Sequence, residues 1–373
     1  MRLRWILFLV YLPAVYSFAQ PVIRSGAFPM PGDTVFFLTD DIPDEIELEP
    51  GGERPFWNFL SLRAPYLDFY RVSSASSGKD YNSFPRADIM LIDRKGKSKY
   101  YAIQNNRITL LGGRGIELLG ENLTGVWSYT EPLIERMIPT ETGQMIESKT
   151  TFEIQSPIED FDRTILNFVP FFPDSIKIES IVSRKIETDT WGVLALPGGQ
   201  FNVLRQKVTD RNEYRVWIKR IGNSWIEISS MMPSNFPGPA ENTYYEFLSE
   251  DSQYPLAIIY VDLFSRPQRA IYQAVSGLRP FYRIYDPDQW LYAYPNPAIS
   301  KVRFKFSKIP AGNYTIRFYN ILGKPLFERS YRLGRSKTIE INIAQLDKGT
   351  YLYCLLDDQG NKITTKRLII LKP

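Results

Sequence analysis

Two carboxylate clusters hold the residue types best suited to chemistry. Asp40-Asp41-Ile42-Pro43-Asp44-Glu45 and Glu159-Asp160-Phe161-Asp162 are the most acidic stretches of the 373-residue chain. A pair of carboxylates can hydrolyse glycosidic bonds, and carboxylate oxygens are ligands for Ca²⁺ and Mg²⁺. Neither cluster has the spacing of a calcium-binding loop, and both fall where turns are expected. The sequence therefore favours a solvated acidic loop at each place.

Composition excludes several kinds of catalysis. The sequence contains no histidine, which excludes Ser-His-Asp and Cys-His nucleophiles and His-ligated zinc or non-haem iron. Cys354 is the one cysteine, so no intramolecular disulfide can form, and its alternating strand pattern predicts a small buried residue. We expect no cofactor and no metal. The enzyme that the composition still allows is a carboxylate-dependent, glycosidase-like hydrolase acting on polysaccharide.

Aromatic side chains suggest a different chemistry, the stacking of ligand rings. The chain has 23 Tyr, 23 Phe and 7 Trp residues, with Trp217 and Trp225 on adjacent candidate strands. Most aromatics at strand positions belong to a core, but a curved sheet with an aromatic concave face is a normal ligand site. A binding or structural module is therefore the leading interpretation and the hydrolase its alternative. Two carboxylates about 5 to 10 Å apart in a cleft would favour the hydrolase.

The elements that position these residues are predicted to be strands. Residues 191–197 and 200–208, joined by Gly198-Gly199, predict a hairpin whose two glycines accept positive φ. Residues 213–220 and 224–229 predict a second hairpin, and a period of two in the first of these indicates one buried face. Further candidates are residues 35–38, 99–104, 107–111, 150–154, 175–187, 256–262 and 270–275.

The predicted fold class is all-β. No stretch predicts a helix of three or more turns, and residues 232–255, with four prolines, predict a long irregular connection. Short strands with hairpin turns indicate an antiparallel meander, curved into a sandwich or an incomplete barrel. This meander is followed, after a boundary near residues 285–289, by a smaller unit with its own pattern of strands.

The N-terminus has the pattern of a signal peptide. Arg2 and Arg4 precede an apolar run, and Ser17-Phe18-Ala19 places small residues where a signal peptidase reads. Cleavage between Ala19 and Gln20 is expected. The run of about eleven apolar residues is shorter than the about 20 that span a bilayer, and no later uncharged stretch reaches that length. We expect an exported protein without a transmembrane segment.

Charge separates the two parts of the chain. Residues 295–373 carry 15 Lys and Arg against 5 Asp and Glu, whereas residues 20–294 carry 28 against 36. The larger part is therefore acidic although the whole chain has a formal net charge of +4. Nucleic-acid binding requires clustered cations, so nucleic acid is not an expected partner of the acidic part.

The last 79 residues predict a small Ig-like sandwich and carry four ordered motifs. The candidate strands are residues 302–306, 314–320, 325–331, 337–343, 350–356 and 363–371. The motifs are Tyr-Pro-Asn-Pro-Ala at 294–298, Tyr-Thr-Ile-Arg-Phe-Tyr-Asn-Ile-Leu-Gly-Lys at 314–324, Ile-Asn-Ile-Ala-Gln-Leu-Asp-Lys-Gly-Thr-Tyr-Leu-Tyr at 341–353 and Lys-Arg-Leu-Ile-Ile-Leu-Lys at 366–372. Together they resemble the type A C-terminal sorting domain of the Bacteroidota type IX secretion system.

That resemblance implies a route and a set of partners. It implies export to the periplasm by the signal peptide, transfer across the outer membrane by the type IX machinery, and removal of the domain by a sortase-like peptidase. Attachment to surface lipopolysaccharide is one outcome, and release is the other. By analogy, the sorting signal comprises Pro295, Asn296, Pro297, Gly349, Tyr351, Lys366 and Lys372. The local roles expected of Gly349 and Tyr351 are a turn and a core position.

The resulting division has four parts. These are a signal peptide (1–19), an acidic all-β cargo domain (20–288), a linker (289–294) that follows Asp286-Pro287-Asp288, and a sorting domain (295–373). The cargo resembles only N-terminal regions that accompany this sorting domain in uncharacterised proteins, through the motifs that begin at Gly32, Trp57 and Trp191. This second resemblance implies no activity. The expected location is the outer cell surface or the medium.

Overall fold

The computed structural model describes residues 20–24, 28–49, 54–118, 121–160, 171–220, 222, 224–231, 240–275, 282, 286, 289–334 and 336–372. Ala19, on the N-terminal side of the expected cleavage, and Asp162 of the second acidic cluster lie outside these residues, while Gln20 is described and exposed. Secondary structure in the described part is strand, apart from short 3-10 turns at Ala75–Ser77, Tyr81–Ser83, Ile158–Asp160 and Ser229–Met231. No helix there is long and apolar enough to cross a membrane.

The strands form two groups. The first is β1 (Thr34–Asp40), β2 (Phe56–Asn58), β3 (Leu67–Ser74), β4 (Ile89–Asp93), β5 (Ser98–Gln104), β6 (Arg107–Leu118), β7 (Glu121–Met137), β8 (Met145–Pro157), β9 (Ser175–Leu196), β10 (Gly199–Lys219), β11 (Ile226–Glu227), β12 (Ala240–Leu248), β13 (Ala257–Val261) and β14 (Pro267–Gln273). The second is β15 (Leu291–Tyr294), β16 (Lys301–Ser307), β17 (Gly312–Asn320), β18 (Pro325–Leu333), β19 (Ser336–Asn342), β20 (Gly349–Leu356) and β21 (Lys362–Ile370).

Twelve strands of the first group close into a ring. Their order is β10-β12-β13-β14-β1-β3-β4-β5-β6-β7-β8-β9, and β9 pairs back to β10, with every neighbouring pair antiparallel. β2 adds to β9 in parallel and β11 adds to β10 in antiparallel fashion. The predicted antiparallel meander with a curved sheet is confirmed. Pairing of β1 with β14, which lie far apart in sequence, completes the circuit.

Two strands of the ring are longer than the sequence indicates. The strands predicted at 175–187 and 191–197 belong to one 22-residue strand, β9, which ends at Leu196. Those predicted at 200–208 and 213–220 belong to one 21-residue strand, β10, which ends at Lys219. The prediction of short strands was wrong here because a β-bulge at Asp189 interrupts the pairing without ending the strand. The bulge also moves the later even-numbered residues of β9 to the opposite face, so Ile178 and Leu194 belong to different cores.

The β9–β10 turn lies one residue earlier than predicted. Leu196 pairs with Gly199, so Pro197 and Gly198 form the turn, and only Gly198 has positive φ, +104°. The reason is that proline fixes the φ suited to the first central position of a type II turn, and glycine suits the second. Residues 232–255 were also mispredicted as irregular, because β12 occupies their centre. The second predicted hairpin is confirmed by the β10–β11 pairing.

Two large cores lie on opposite faces of this sheet. One contains residues from β3 through β10, including Val72, Trp127 and Val216, so its members face one another across the ring and define the inner face. The other lies outside, where Trp57 and Phe59 pack against β9, β12, β13 and β14. Leu48 and residues 57–64, which lie between β1 and β3 in the sequence, therefore pack onto the outer face.

The second group of strands is a sandwich of two sheets. β15-β16-β19 faces β18-β17-β20-β21, and the core between them includes Phe304, Phe318, Tyr353 and Leu368. All six strands predicted for the tail are present, and β15 is a seventh. Cys354 is buried, 2% exposed, as its alternation predicted.

Candidate functional site

The inner face of the ring carries a charged cluster centred on Arg184. Arg184 of β9 lies directly opposite Asp210 of β10, and its Nε and Nη2 each donate to an Asp210 carboxylate oxygen at 2.7 Å. Its Nη1 donates to Glu135 Oε1 of β7 at 2.9 Å. The Arg184 side chain is 9% exposed. Such a bidentate, charge-assisted pair fixes three strands relative to one another.

A second ion pair lies beside this cluster. Arg136 Nη2 is 3.7 Å from Glu246 Oε2 of β12, and the Glu246 side chain is 13% exposed. Burial raises the pKa of Glu246 to about 7, with Glu135 and Asp210 adding repulsion and Arg136 and Arg184 opposing it. Glu135, Asp210 and Glu246 are thus all engaged by arginine. These ion pairs fix neighbouring strands of the ring relative to one another.

A small pocket with aromatic walls lies next to these ion pairs. It has a volume of about 260 Å³ and takes Tyr70 from β3, Tyr101 from β5, Trp127 from β7 and Tyr254 from the β12–β13 connection. Burial raises the pKa of all three tyrosines, so their hydroxyls stay protonated and act as neutral hydrogen-bonding groups. The Trp127 Nε1 atom is buried and has no hydrogen-bond partner among the described residues.

Charged side chains surround the mouth of this tyrosine pocket. Lys97 and Lys99 lie with Asp93 and Glu117 near the β4–β5 and β6–β7 turns. Lys97 Nζ donates to Asn122 Oδ1 at 2.8 Å, and desolvation, with repulsion from other lysines, lowers its pKa. The Asp93 carboxylate accepts backbone N–H bonds within its own turn, at 2.8 Å from Lys95 and from Lys97. Glu117 and Asp93 oppose this lowering of the Lys97 pKa, so the pocket combines aromatic walls with a mouth that holds both lysines and carboxylates.

A larger concavity of about 740 Å³ lies over β8, β9, β10 and β12. Its lining is charged, and the charges pair with one another: Lys185 with Glu187 at 2.9 Å and Arg211 with Glu241 at 2.8 Å. The members of these two pairs are partly exposed, so the pairs are screened by solvent and weak. This open groove offers no apolar wall to hold a small ligand.

The rings of Trp217 and Trp225, the aromatic pair considered in the sequence, are already in contact with a lysine of this chain. Lys177 Nζ lies 4.5 Å from the ring centroid of Trp217 and 5.5 Å from that of Trp225. The two tryptophans are near each other, as the predicted hairpin requires, but a cation lies at their faces. The tyrosine pocket, which was not predicted from the sequence, is therefore a better candidate than this tryptophan pair for stacking on the ring of a ligand. The Arg184 cluster, which was also not predicted, did have a signal in the sequence, because Arg184 interrupts the buried alternation of Val182 and Ile186.

The first acidic cluster is not a solvated loop. Asp40 is fully buried and Asp41 is half-buried, and both pair with basic residues of the C-terminal sandwich, Arg303 and Lys305. The prediction was wrong because the partners lie more than 260 residues away in sequence. In the second cluster, Asp160 accepts hydrogen bonds from the backbone and side chain of Thr124, both at 2.8 Å.

The residues proposed for the sorting signal meet at one end of the sandwich. Asn296 clamps β21, since its Nδ2 donates to Arg367 O and its Oδ1 accepts from Ile369 N, both at 2.9 Å. Pro295 and Pro297 flank it in the β15–β16 connection. Lys366 Nζ donates to Leu291 O at 2.7 Å, which ties the same strand to β15.

The remaining residues proposed for the sorting signal are Gly349 and Tyr351 on β20, the neighbour of β21, and Lys372, which follows β21. Gly349 begins β20 and pairs with Ile370, while Tyr351 OH donates to Asp347 O at 2.9 Å. Lys372 lies 3.9 Å from the exposed Asp347 carboxylate, a weak contact. Tyr351 is half-buried and packs against the sandwich core. The sequence motifs, spread over 78 residues, are thus brought together around β21.

The structure thus consists of a large all-β domain followed by a small β-sandwich at the C-terminus. Residues 292–371 match the family model described as the secretion system C-terminal sorting domain, which confirms the resemblance found in the sequence. This sorting tail indicates a type IX secretion cargo that is exported to the outer cell surface or secreted, and it implies an interaction with the secretion machinery. No curated protein matches the chain in sequence.

Two solved structures show limited similarity. One is dimeric latent PorU from Porphyromonas gingivalis, 10% identical, covering 92% of this chain and 34% of that one, with a TM-score of 0.20. The other is PorZ, an essential surface component of the type IX secretion system of Porphyromonas gingivalis, 10% identical, covering 92% and 60%, with a TM-score of 0.18. The chain spans less than two thirds of either, and TM-scores this low support no conclusion about fold or function.

Proposed function

We propose that residues 20–288 are a binding module that the sorting tail delivers, and that the tyrosine pocket is its ligand site. The observation that carries this proposal is a concave site whose walls include Tyr70, Tyr101, Trp127 and Tyr254. The indole N–H of Trp127 is buried and has no hydrogen-bond partner among the described residues. A buried donor without an acceptor costs about 1 to 3 kcal/mol. A ligand that supplies the acceptor recovers part of that cost on binding.

The walls and the mouth define the ligand class. A volume of about 260 Å³ lies just below the range of about 300 to 1,000 Å³ for drug-sized ligands, so one ring is the largest body that fits. Aromatic walls favour a ring face, whether of a sugar or of an aromatic acid. Desolvation and repulsion from Lys95 and Lys99 lower the pKa of Lys97, and Glu117 and Asp93 offset this only in part, so a further anion at the mouth would stabilise its charged form. We therefore propose a monocyclic carboxylate.

Calorimetry on the mature chain tests this proposal. A panel of glucuronate, galacturonate and benzoate is titrated into wild type, Trp127→Phe and Lys97→Gln, with Trp225→Phe as the matched control outside the pocket. We expect one panel member to bind, with at least about tenfold weaker binding for Trp127→Phe and Lys97→Gln and unchanged binding for the control. If no member bound more tightly than about 1 mM, or if both pocket variants bound like wild type, the ligand site would lie elsewhere.

We propose that the domain division follows the cores. The sandwich core has buried members from Leu291 to Ile370, and the ring cores draw on none of these residues, which supports a boundary between a cargo of 20–288 and the sorting domain. Because β15 (Leu291–Tyr294) is a strand of the sandwich, the sorting domain would begin at β15, and only the first residues of the predicted linker, 289–294, would connect the two parts. A sortase-like peptidase would cut within or near the linker, leaving a released cargo or one attached to lipopolysaccharide. Signal-peptide cleavage would leave Gln20 as the first residue.

Secretion assays test the route and the sorting signal. Deletion of residues 295–373 should keep the cargo in the periplasm, and unchanged secretion into the medium would refute the role of the tail. Asn296→Ala should impair secretion because it frees the clamp on β21, whereas Asn313→Ala, an exposed asparagine elsewhere in the sandwich, should not. Intact mass of the surface fraction distinguishes bare cargo that begins at Gln20 from cargo with lipopolysaccharide attached.

A further inference from the structure

Strand β16 is buried on both faces. Val302, Phe304 and Phe306 face the sandwich core, whereas Arg303 and Lys305 point the other way and are still only 5% and 8% exposed. Charged residues are almost never this buried unless they are paired. Arg303 and Lys305 are covered by the end of β1 and by the segment that follows it.

Arg303 is the centre of this contact. Its Nη1 donates to both carboxylate oxygens of Asp40, at 2.7 and 2.8 Å, and its Nη2 donates to Asp44 Oδ2 at 2.8 Å. Its Nε donates to Glu340 Oε2 of β19 at 3.1 Å, which orients the guanidinium from within the sandwich. All three nitrogens of the fork are thus satisfied, two of them by the N-terminal domain.

Backbone groups of the N-terminal domain fix the orientation of the Asp40 carboxylate. The Asp40 carboxylate also accepts backbone N–H bonds from Ile42 at 3.1 Å and from Arg63 at 2.7 Å. Burial raises the pKa of Asp40, and Arg303 and the two backbone donors oppose that rise. The carboxylate is therefore oriented by the ring's own loop and would lose its Arg303 partner if the sandwich left.

Lys305 forms a second pair beside the first. Its Nζ lies 2.6 Å from Asp41 Oδ2, and Thr338 of β19 donates to the same oxygen at 3.1 Å. The ammonium also lies 5.4 Å from the ring centroid of Tyr66, whose own ring contacts Tyr292 of β15 at 4.9 Å between centroids. The contact thus includes an apolar part as well as charge pairs.

We infer that the Asp40–Arg303 and Asp41–Lys305 pairs form a noncovalent latch that holds the sorting domain on the cargo after the connecting chain is cut. Hydrolysis of the chain before β15 separates the two parts covalently but leaves both pairs and the Tyr66–Tyr292 contact in place. The partner of the acidic cluster is therefore this chain's own sorting domain. Release of the tail requires the latch to open as well as the linker to be cut.

The test uses the full mature chain with a protease recognition sequence inserted between Asp286 and Gln289. After cleavage, size-exclusion chromatography at 50 mM salt and surface plasmon resonance report whether the two fragments stay together. We expect co-elution for wild type and at least a tenfold faster dissociation for Arg303→Gln/Lys305→Gln. The matched control is Lys324→Gln/Arg332→Gln, which removes two charges from exposed positions of the other sheet. A milder variant, Asp41→Asn, should dissociate at an intermediate rate.

Two results would overturn the inference. One is separation of the wild-type fragments at 50 mM salt immediately after cleavage. The other is dissociation of the control variant as fast as Arg303→Gln/Lys305→Gln, since charge alone would then explain retention. Circular dichroism and elution of each uncleaved chain establish that the variants are folded, and Asp41→Asn provides the comparison if the double variant does not fold.

Discussion

The Arg184→Met substitution measures how much the ion pairs on the inner face of the ring contribute to the free energy of unfolding. Methionine keeps an unbranched apolar side chain but removes the guanidinium that binds Asp210 and Glu135. The two carboxylates then face each other on the inner face, with Glu246 close enough to add repulsion. Arg136 is the remaining cation of this group, and it already pairs with Glu246.

The size of the effect follows from burial. Removing one member of a buried ion pair costs about 3 to 5 kcal/mol because the partner charge stays desolvated. Arg184 and Asp210 are 9% and 14% exposed, so this range applies to them. Arg211, the next residue after Asp210, is 73% exposed and pairs with Glu241 at 2.8 Å. Arg211→Met should therefore cost no more than about 1 kcal/mol.

Urea unfolding followed by tryptophan fluorescence and circular dichroism gives the free energies. At pH 8 we expect Arg184→Met to lower the free energy of unfolding by about 3 to 5 kcal/mol. Arg184→Met/Asp210→Asn should cost less than the sum of the two single changes, by about 0.5 to 3 kcal/mol. A cost for Arg184→Met within about 1 kcal/mol of that for Arg211→Met would refute the reasoning, because the pair would then behave like an exposed one.

Substitutions of Glu246 and Gly192 test the pH dependence of stability on the inner face of the ring and the packing on its outer face. The pKa of Glu246 is raised from 4.5 to about 7, so the folded state holds its proton more tightly and stability falls as pH rises from about 4.5 to about 7. Glu246→Gln should remove a decline of about 3 kcal/mol between urea curves at pH 5 and pH 8, while the exposed Glu241→Gln should not. Gly192→Ala would set a methyl group against the Pro55 carbonyl and 2.9 Å from Trp57 Cζ3, and should lower the free energy of unfolding by about 1 to 3 kcal/mol. Gly334→Ala, with open space around its Cβ, should change it little, and equal effects would contradict the packing argument.

Local patterns were sufficient for many elements. Alternation at Tyr214, Val216 and Ile218 predicts a strand with one buried face, and the structure buries Val216 and Ile218 and leaves Tyr214 half-buried. The Pro197-Gly198 turn was missed by one residue, since two adjacent glycines looked like the turn until the proline's φ is considered. β12 was missed because prolines on both sides of it masked its alternation.

The candidate sites depended on contacts that no local pattern contains. The tyrosine pocket joins residues 70, 101, 127 and 254, which come from four separate elements. The bulge at Asp189 was equally invisible, because even-numbered apolar residues continue on both sides of it while their face changes. Asp40 looked like part of a solvated loop because its partner, Arg303, is 263 residues away.

The sequence by itself determined the all-β class, most of the strands and the sorting tail, because side-chain alternation, turn residues and ordered motifs act over a few residues at a time. Only the tertiary structure decided that β1 meets β14 to close a ring, that the ring encloses arginine-paired carboxylates, and that Asp40 is buried against the tail. These depend on pairings between distant parts of the chain. Which of many similar strands and charges meet is settled by packing of the whole molecule, where a buried charge must find its partner or the fold loses stability.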